Sequence, residues 1–493
     1  MPAIVLTTFN ARFSHPSMGL RCLLANLDVW RDQTRLIEFD LETRPEAAVE
    51  TILAENPRLI GCGVYVWNTE LVHRFATLLK ILRPEVHLIL GGPEAAHALD
   101  HHPLATIADH RVAGEGERIF AEICHTLLTH GAPLPKKIIA PPADLTTLRH
   151  PYDAYTSHDL AHRHLYVESS RGCPYRCAFC LSALDPEVRR FPLDPFLKAM
   201  ADLLERGGRH FKFVDRTFNL GEAHATAILD FFLARIPEFP GIFLHFEMVP
   251  DRLTPGLKTR LAAFPAGTLQ LELGIQSFDP AVLQTIDRHM DQTRAEENLR
   301  WLLTATQAHL HTDLIIGLPG EDLASFAQGF DRLFALGPHE IQVGILKQLA
   351  GTPLTALTGT EEMHFDPEPP YELLANRRID FMTLRRLKRF ARYWDLVGNS
   401  GRFPNTLRQA FRERSPFYTF LAFSDWLYAT TGQTHQIALP RLTRLVQEGF
   451  GAQRTPAERS QLDQALEQDL QHQQRTEKKT DHHPPSRQMR HRP

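Results

Sequence analysis

Three of the six cysteines lie within eight residues of one another, in the segment ESSRGCPYRCAFCLS. Cys173, Cys177 and Cys180 have the spacing CxxxCxxC and follow an apolar segment of strand length. Pro174 disfavours an ordinary helix start and Gly172 permits a tight exit from the strand, so a compact loop could point all three sulfurs inward. Three thiolates can hold a four-iron cluster by three of its irons, which leaves the fourth iron open to a reactive ligand. The spacing therefore predicts a reactive [4Fe–4S] centre.

A structural zinc site of the Cys₃His type is the alternative for these sulfurs, with His162 or His164 as the fourth ligand. The triplet directly follows a predicted strand, and five further βα units follow it along the chain. This context favours the cluster over zinc.

The other three cysteines, Cys22, Cys62 and Cys124, lie far apart in apolar segments. A free cysteine packs like a small hydrophobic residue, so we expect three buried core thiols. A disulfide framework is not expected in a chain of this length with so few cysteines.

A separate N-terminal region precedes the elements that position the cysteine loop. Apolar segments of strand length alternate there with amphipathic helical segments, which is typical of a parallel sheet covered by helices on both faces. We expect an α/β, doubly wound, flavodoxin-like domain over residues 1–130. Its predicted strands are residues 3–9, 34–40, 59–67, 87–92 and 110–116.

A second βα series follows a Pro-rich polar stretch, residues 131–163, which is predicted to be a linker. Six repeats instead of eight predict a partial (βα)6 barrel of the TIM type over residues 164–355, with reactive groups at the C-terminal ends of its strands. The predicted strands are residues 164–170, 210–215, 243–249, 269–277, 311–319 and 340–349.

The C-terminal part of the chain has helical patterns rich in Arg and aromatic residues, which predict a helical domain over residues 356–470. Residues 471–493 contain almost no hydrophobic residue and no apolar spacing, so they are predicted to be a disordered tail. His482 and His483 in this tail could bind a metal, but a solvated tail is favoured.

At the cysteine triplet and the strand ends the chain resembles the radical S-adenosylmethionine (SAM) enzymes. In that superfamily the open iron binds the amino and carboxylate groups of SAM, and one electron cleaves SAM to a 5′-deoxyadenosyl radical. The segment VDRTFN (214–219) resembles the one that receives the methionine amino group, although the usual form is a Gly-Gly-Glu run, and HTDLIIGLPGED (311–322) resembles the signature that lines the adenine. By this resemblance the SAM-binding residues are Phe179, Asp215, Thr217, Asn219, Glu247, Gln276, Ser277, Asp313 and Leu318.

A doubly wound domain ahead of such a barrel resembles a cobalamin-binding domain, and the segment VAGEGE matches the final loop of that family. Ligands of doubly wound sheets bind at the C-terminal strand ends near the topological switch point, and glycines there let the backbone approach a flat macrocycle closely. The resemblance implies that cobalamin contacts Trp67, Asn68, Gly91, Gly92, Gly114 and Glu115.

The Asp-x-His-x-x-Gly motif that supplies the lower cobalt ligand in many cobalamin domains does not occur after the first strand. The loop there contains His15 and Gly19 at another spacing and no Asp. His15 is therefore predicted to be a loop or pocket residue, and cobalamin is expected to lack a protein histidine below the metal.

Two segments near the C-terminus, PPYELL (369–374) and GNSGRF (398–403), resemble the extension of a cobalamin-binding radical SAM subfamily that ends in a DUF4080-like domain of unknown function. Together, the resemblances imply an enzyme that uses a [4Fe–4S] cluster to cleave SAM, with cobalamin, for methylation or for a radical rearrangement or cyclisation.

Two alternative functions stay open. A methylthiotransferase shares the barrel, but it normally binds a second cluster through three N-terminal cysteines and ends in a β-barrel RNA-binding module. A non-catalytic cobalamin or redox sensor is the other alternative, and no segment resembling a DNA-binding module accompanies the domains.

Composition limits the partners. The 493 residues have a formal charge of −4 and are 43% hydrophobic, as in a globular protein. So small a charge gives no strong field for nucleic acid or an anionic membrane, and no apolar run approaches the roughly 18 residues of a membrane span. No export signal is evident in MPAIVLTTFN. We expect a cytoplasmic protein with a small-molecule substrate and a reductant of the flavodoxin or ferredoxin type, without nucleic-acid or membrane partners.

Overall fold

The computed structural model describes residues 2–452 and 454–480. The N-terminal strands are β1 (Ile4–Asn10), β2 (Thr34–Asp40), β3 (Leu59–Gly63), β4 (His87–Gly91), β5 (His110–Ala113) and β6 (Lys137–Ile139). They form one parallel sheet in the order β2-β1-β3-β4-β5-β6. The order reverses between β1 and β3, so the C-terminal ends of these two strands form the topological switch point.

Helices cover both faces of this sheet. Leu20 of α1 and Phe120 of α6 belong to the core on one face, and Val49 of α2 and Phe75 of α3 belong to the core on the other. The doubly wound fold is confirmed. The helices are α1 (Met18–Ala25), α2 (Pro45–Ala54), α3 (Thr69–Leu82), α4 (Pro93–His97), α5 (Pro103–Ile107) and α6 (Gly116–His125).

Part of the predicted linker belongs to this sheet. Strand β6 lies within residues 131–163 and pairs in parallel with β5, and helix α7 (Ser157–His162) lies in the same stretch. Three strand residues among prolines are too few to show a period, which is why the sequence pattern did not reveal β6.

The second region contains a second parallel sheet. The strands of the whole region are β7 (Leu165–Val167), β8 (Ser170–Arg171), β9 (Arg189–Arg190), β10 (His210–Phe213), β11 (Phe243–Met248), β12 (Leu269–Gln276), β13 (His309–Ile316) and β14 (Glu340–Ile345). Six of them are parallel, in the order β14-β13-β12-β11-β10-β7, while β8 and β9 form a separate antiparallel pair. Among the described residues β7 does not pair with β14, so the barrel is open on that side and is partial, as predicted.

Alternation along these strands separates an apolar outside from a polar inside. In β12 the residues Leu269, Leu271 and Leu273 are buried in the core, while Glu272 and Gln276, on the opposite face of the strand, line the barrel interior. Successive side chains of a strand point to opposite faces, so the interior collects the polar residues. The helices outside the sheet are α8 (Leu193–Glu205), α9 (Glu222–Arg235), α10 (Pro255–Ala263), α11 (Pro280–Thr285), α12 (Gln292–Ala305) and α13 (Leu323–Leu336).

The C-terminal region begins with a short antiparallel pair and is otherwise helical. It shares a core with the barrel, because Phe330 of α13 lies 4.9 Å from Trp394 and 5.2 Å from Phe390 between ring centroids. No helix in the described ranges has the length and apolarity needed to cross a membrane. The elements are β15 (His364–Phe365), β16 (Leu373–Ala375), α14 (Phe381–Val397), α15 (Pro404–Ala410), α16 (Pro416–Thr431), α17 (Leu439–Gly451) and α18 (Pro456–Thr480).

Helix α18 corrects one sequence prediction. It continues to Thr480, so residues 471–480 are helical, although they were predicted to be disordered. Gln, Glu and Lys are good helix formers, and they extend a helix that packed residues have already started. The rest of the predicted tail, with His482 and His483, lies outside the described residues.

Candidate functional site

The three cysteines lie in the loop between β8 and β9, just beyond the C-terminal end of β7. The β8–β9 pairing closes the base of this loop. Gly172 has φ +87°, and a Cβ there would lie 2.0 Å from the Glu187 carbonyl oxygen, so only glycine fits. The Cys173 N–H donates to the Asp185 carbonyl at 2.9 Å, and the Cys180 N–H donates to the Cys177 carbonyl at 3.0 Å. The loop is compact, as the sequence predicts.

The thiols have an environment that suits metal binding. Cys173 and Cys177 are buried and Cys180 is half-buried. Burial raises the pKa of the Cys177 thiol, but Arg288 Nη1 lies 3.4 Å from its Sγ and acts in the opposite direction. A positive group beside sulfur favours the thiolate, which is the form that binds iron. A zinc site needs its ligands to converge on one ion. Within the described ranges no three His, Cys, Asp or Glu side chains, these three cysteines included, converge on the position of a single ion.

A cavity of about 170 Å³, here called the cluster cavity, adjoins the three sulfurs at the C-terminal ends of the barrel strands. Five residues that the sequence predicts to bind SAM line it together with the cysteines. They are Phe179, Thr217, Glu247, Gln276 and Asp313.

Four other predicted SAM-binding residues do not line this cavity. Asp215 accepts hydrogen bonds from Ser169 and Ser170, and the Asn219 amide joins the loops after β10 and β11 through Val249. Ser277 contacts Glu321 at 2.5 Å, and Leu318 is fully buried in the core. These side chains stabilise the loops behind the cavity. A sequence shows that a polar residue ends a strand, but it does not show whether the side chain points forward or back.

Three charged residues of the cluster cavity were missed by sequence reasoning. Glu272 lies on the inward face of β12, and the period of that strand could have revealed it. Arg216 contacts Glu247 at 3.4 Å. Arg288 follows α11 in a loop, and no pattern in the sequence marks it. The cavity therefore contains more paired charge than was predicted.

Polar atoms without partners point to a ligand in the cluster cavity. Gln276 has φ +70° and follows a register shift in β12, and its buried Oε1 has no hydrogen-bond partner in the described part of the chain. The same holds for Arg288 Nε. An unsatisfied buried acceptor or donor costs about 1–3 kcal/mol unless a ligand meets it. An acceptor, a guanidinium donor and carboxylates fit a ligand with an amino group, hydroxyls and a carboxylate, such as SAM.

Carboxylate–histidine pairs continue from the cluster cavity into the barrel. Burial raises the pKa of Glu247 to about 7. His311 lies 3.2 Å from Asp313 and 3.1 Å from Glu340, and these carboxylates outweigh burial and raise the pKa of His311 to about 10. His245 contacts Glu272 at 3.0 Å. The interior thus holds charge in neutralising pairs.

A second cavity, of about 250 Å³, lies in the N-terminal domain between the ends of β3, β4 and β5 and the helices α1 and α6. A Cβ on Gly61 would lie 2.7 Å from the Phe120 ring, and Gly92, at φ +97°, has no room for one because the Val64 carbonyl oxygen is 2.6 Å away. Only residues without a side chain can therefore form this wall, and the narrow space beside it fits a flat or nucleotide-like group. Four of the predicted cobalamin-binding residues line it: Gly91, Gly92, Gly114 and Glu115.

The other two predicted cobalamin contacts do not line this cavity. The buried Asn68 amide donates to Thr8 and to the Phe9 carbonyl, which holds the switch-point loops together. Trp67 is exposed and stacks on Tyr65 at 4.6 Å, and Tyr65 does line the cavity.

Three residues with other predictions also have defined places. Cys22 and Cys124 are buried thiols, as expected, while Cys62 is buried but also lines the second cavity. His15 does not line that cavity, and its Nδ1 lies 2.5 Å from the Tyr166 hydroxyl.

Arg171 connects the cysteine loop to the N-terminal domain. It lines the cavity of the N-terminal domain, and it lies two residues before Cys173 in the chain. Its guanidinium contacts Glu117 at 2.6 Å, Glu115 at 3.0 Å and Glu168 at 3.0 Å, and only 13% of the side chain is exposed. One buried cation therefore holds the cysteine loop against the N-terminal domain.

We expect Arg171→Met to lower the free energy of unfolding by about 3 kcal/mol, because removal of one partner from a buried ion pair leaves uncompensated charge. Urea unfolding at pH 7 measures the change. In the double variant R171M/E117Q one orphaned carboxylate is neutralised, so part of the loss should be recovered. Arg74→Met is the control, because the Arg74–Glu46 pair is exposed and such pairs contribute at most about 1 kcal/mol. Equal losses in the two single variants would contradict this role.

Glu321 predicts a pH dependence of stability. Burial raises its pKa from 4.5 to about 8, and its Oε2 has no hydrogen-bond partner among the described residues. The folded state keeps the proton between these pH values while the unfolded state loses it, so the free energy of unfolding falls as pH rises through this window. In Glu321→Gln this fall between pH 5.5 and 8 should shrink by on the order of 1–3 kcal/mol. If the free energy of unfolding of Glu321→Gln changes with pH as much as that of the wild type, Glu321 does not cause the pH dependence.

Comparisons with known proteins agree with the division of the chain into three regions. Residues 4–124 match the B12 binding domain, residues 167–333 match the radical SAM superfamily, and residues 362–485 match a protein family of unknown function, DUF4080. These matches confirm the predicted cofactors: a [4Fe–4S] cluster, SAM and cobalamin.

One curated relative is the cobalamin-dependent radical SAM methyltransferase TokK of Streptomyces tokunonensis, 27% identical over 336 residues. The alignment covers 59% of this chain and 47% of TokK, so the chain spans about half the length of that relative.

Two solved structures share the fold. TsrM of Kitasatospora setae, a radical SAM methyltransferase with cobalamin and a [4Fe–4S] cluster bound, has a TM-score of 0.61 at 16% identity, covering 96% of this chain and 100% of TsrM. The cobalamin-dependent radical enzyme OxsB, with aqua-cobalamin and SAM bound, has a TM-score of 0.62 at 13% identity, covering 97% of this chain and 81% of OxsB. In chain order, the protein thus contains a region that matches the B12 binding domain, a region that matches the radical SAM superfamily and a region that matches DUF4080.

Proposed function

We propose that this protein is an enzyme that cleaves SAM at a [4Fe–4S] cluster and uses cobalamin to methylate a small molecule. The observation that carries the proposal is the placement of the cysteine loop beside a glycine-walled cavity: Arg171, two residues before Cys173, lines that cavity and pairs with Glu115 and Glu117. The curated relative TokK and the structural neighbour TsrM are both named methyltransferases, which favours methylation over rearrangement or cyclisation.

The bound groups supply one-electron cleavage of a carbon–sulfur bond and methyl transfer. Cys173, Cys177 and Cys180 would hold three irons, and the Arg288 guanidinium stabilises negative charge on the Cys177 sulfur. Fixed positive charge beside a thiolate needs no reorganisation when an electron arrives.

The remaining residues of the cluster cavity bind and orient SAM. Gln276 Oε1 can accept a hydrogen bond, Arg288 Nε can donate one, and Asp313 presents a carboxylate to an ammonium or a hydroxyl. Phe179 and Met248 add apolar surface that excludes water from the reacting bond.

The electron would come from a reductant of the flavodoxin or ferredoxin type in a reducing cytoplasm. An opening of about 680 Å³ adjoins the cluster cavity and shares Arg288, His289 and Met290 with it. Arg252 and Arg294 also line this opening. Asp251 and Asp291 line it as well and pair with these two arginines, at 3.8 Å and 3.4 Å. The Arg288 guanidinium leaves a small excess of positive charge at the opening, which supports the approach of an acidic one-electron carrier.

The test uses anaerobic protein reconstituted with iron, sulfide and cobalamin, incubated with dithionite and SAM labelled in its methyl group. We expect 5′-deoxyadenosine or S-adenosylhomocysteine, and label on the corrinoid, all measured by mass spectrometry. A preparation without cobalamin is the control for the label. If neither 5′-deoxyadenosine nor S-adenosylhomocysteine is formed, the protein is not the proposed enzyme. If 5′-deoxyadenosine is formed and the corrinoid carries no label, rearrangement or cyclisation replaces methylation as the proposed reaction.

A further inference from the structure

A third cavity, of about 440 Å³, lies where the barrel is open, between the edge strand β14 and helix α14. It is here called the edge cavity. Phe179 lines both the edge cavity and the cluster cavity. His311 lines the edge cavity, Asp313 lines the cluster cavity, and the two side chains contact each other at 3.2 Å. The Phe179 ring and the His311–Asp313 pair therefore form a wall between the two cavities.

The C-terminal region closes the outer side of the edge cavity. The chain after β14 pairs with the segment that leads into β16, through Leu373 N to Leu346 O at 2.8 Å and Gln348 N to Tyr371 O at 3.0 Å. The Tyr371 hydroxyl donates to Glu94 Oε2 of the N-terminal domain at 2.7 Å. The barrel and the C-terminal region thus enclose this space, and the Tyr371–Glu94 contact attaches the C-terminal region to the N-terminal domain. A volume of this size is within the range of about 300–1,000 Å³ for small-molecule sites.

Nearly all charged groups of the edge cavity have partners within it. Glu340 contacts His311 at 3.1 Å, Arg392 contacts Asp395 at 3.2 Å, and Lys388 pairs with Glu372. These three pairs are neutral, so they leave no net charge for a ligand to balance.

Lys347 differs from these groups. It lines the edge cavity and is half-buried, and its ammonium has no ion pair or side-chain hydrogen bond among the described residues. The Gln342 side chain, on the inward face of β14, lines the same cavity and likewise makes no hydrogen bond in the described ranges. A half-buried cation without a partner favours an anion beside it.

We propose that the edge cavity binds the substrate and that the substrate is an organic acid, whose carboxylate pairs with Lys347 while Gln342 hydrogen-bonds to another polar group of the same molecule. This inference rests on the proposed function. The apolar part of the acid packs on Phe179, Ile315 and Val343. Through Phe179 it lies next to the cluster cavity, where the reacting group of SAM would be bound.

Gly344 gives a steric test of the same site. It follows Glu340 and Gln342 on the inward face of β14, and a Cβ there would meet only the Leu314 carbonyl oxygen, at 3.8 Å. Its φ lies outside the left-handed region, so a larger residue adopts this strand conformation without strain. Gly344→Leu therefore fills the edge cavity and leaves the fold intact.

The experiment is equilibrium dialysis of cluster- and cobalamin-loaded protein against arylalkanoic and alkanoic acids, each paired with its neutral primary amide. We expect the wild type to bind at least one acid about tenfold more tightly than its amide, a difference of about 1.4 kcal/mol. Lys347→Met should remove this preference, and Gly344→Leu should remove binding of both members of the pair. Lys198→Met, at an exposed position of α8, should change neither.

An acid preference that survives Lys347→Met, or no acid bound more tightly than its amide by the wild type, overturns the inference. SAM cleavage with dithionite, measured on the same preparations, separates this failure from failure of the proposed function. If SAM is cleaved and acids are not preferred, the inference alone is wrong. If acids are preferred and SAM is not cleaved, the edge cavity is an acid site but the proposed function is wrong.

Discussion

Alanine at Cys173, Cys177 or Cys180 is expected to remove the iron–sulfur cluster completely, together with its brown absorbance at about 400 nm and all cleavage of SAM. Three protein thiolates hold three irons, and the fourth iron has no protein ligand, so two remaining thiolates cannot retain the cluster. Iron and sulfide analysis of the reconstituted protein measures the loss, and mass spectrometry of 5′-deoxyadenosine measures the activity.

Cys124→Ala is the matched control for the three cysteine variants. Cys124 is a fully buried thiol on helix α6, in the core of the N-terminal domain. Its loss removes only a small buried group, so cluster content should equal that of the wild type. Full iron and sulfide in any of the three loop variants, or an equal loss in Cys124→Ala, would show that the loop does not hold the cluster.

Leucine at Gly91 is expected to reduce bound cobalamin at least about tenfold, equivalent to about 1.4 kcal/mol of binding free energy. Gly91 ends β4 and lines the cavity of the N-terminal domain, and a Cβ there would meet no atom within 4 Å. Its φ is not left-handed, so the backbone accepts a side chain. The leucine therefore occupies the space intended for the corrinoid and does not disturb the sheet.

The measurement for Gly91→Leu is the corrinoid content after anaerobic reconstitution and gel filtration, determined by absorbance. Gly359→Leu is the control, because Gly359 is exposed and a Cβ there also meets nothing within 4 Å. Both variants should unfold at nearly the wild-type temperature. Wild-type corrinoid content in Gly91→Leu would mean that cobalamin does not use this cavity.

Much of the architecture could be predicted from the sequence, since strand length and apolarity show the elements directly. Strand β2 has the predicted bounds, and all six barrel strands lie where the second βα series places them. The cysteine loop was also predictable, because the ligands are close in sequence and a Gly–Cys–Pro segment restricts the backbone. Strand β6 and the end of helix α18 were not, since the first is too short and the second too polar for apolar periodicity.

The cavities were only partly predictable, for a different reason. A strand end shows where polar groups cluster, but side-chain direction depends on the loop beyond it, which turns Asp215 and Asn219 away from the cavity. The places of Arg171 and Lys347 in the fold depend on residues far away in the chain. Arg171 meets Glu117, and the backbone of Lys347 pairs with that of Glu372. A local sequence pattern does not show contacts between residues so far apart in the chain.

The pairing between the chain after β14 and the segment before β16 also protects the molecule from self-association. An uncovered outermost strand offers free N–H and C=O groups, which recruit strands from other copies and start aggregates. Here the C-terminal region pairs with the chain just beyond β14, at Leu346 and Gln348, and the Asn399 side chain hydrogen-bonds to the backbone of Ile341 within β14. A shortened chain that ended at residue 355 would expose this template together with the aromatic surface of α13, and it should precipitate at concentrations at which the full chain stays dissolved.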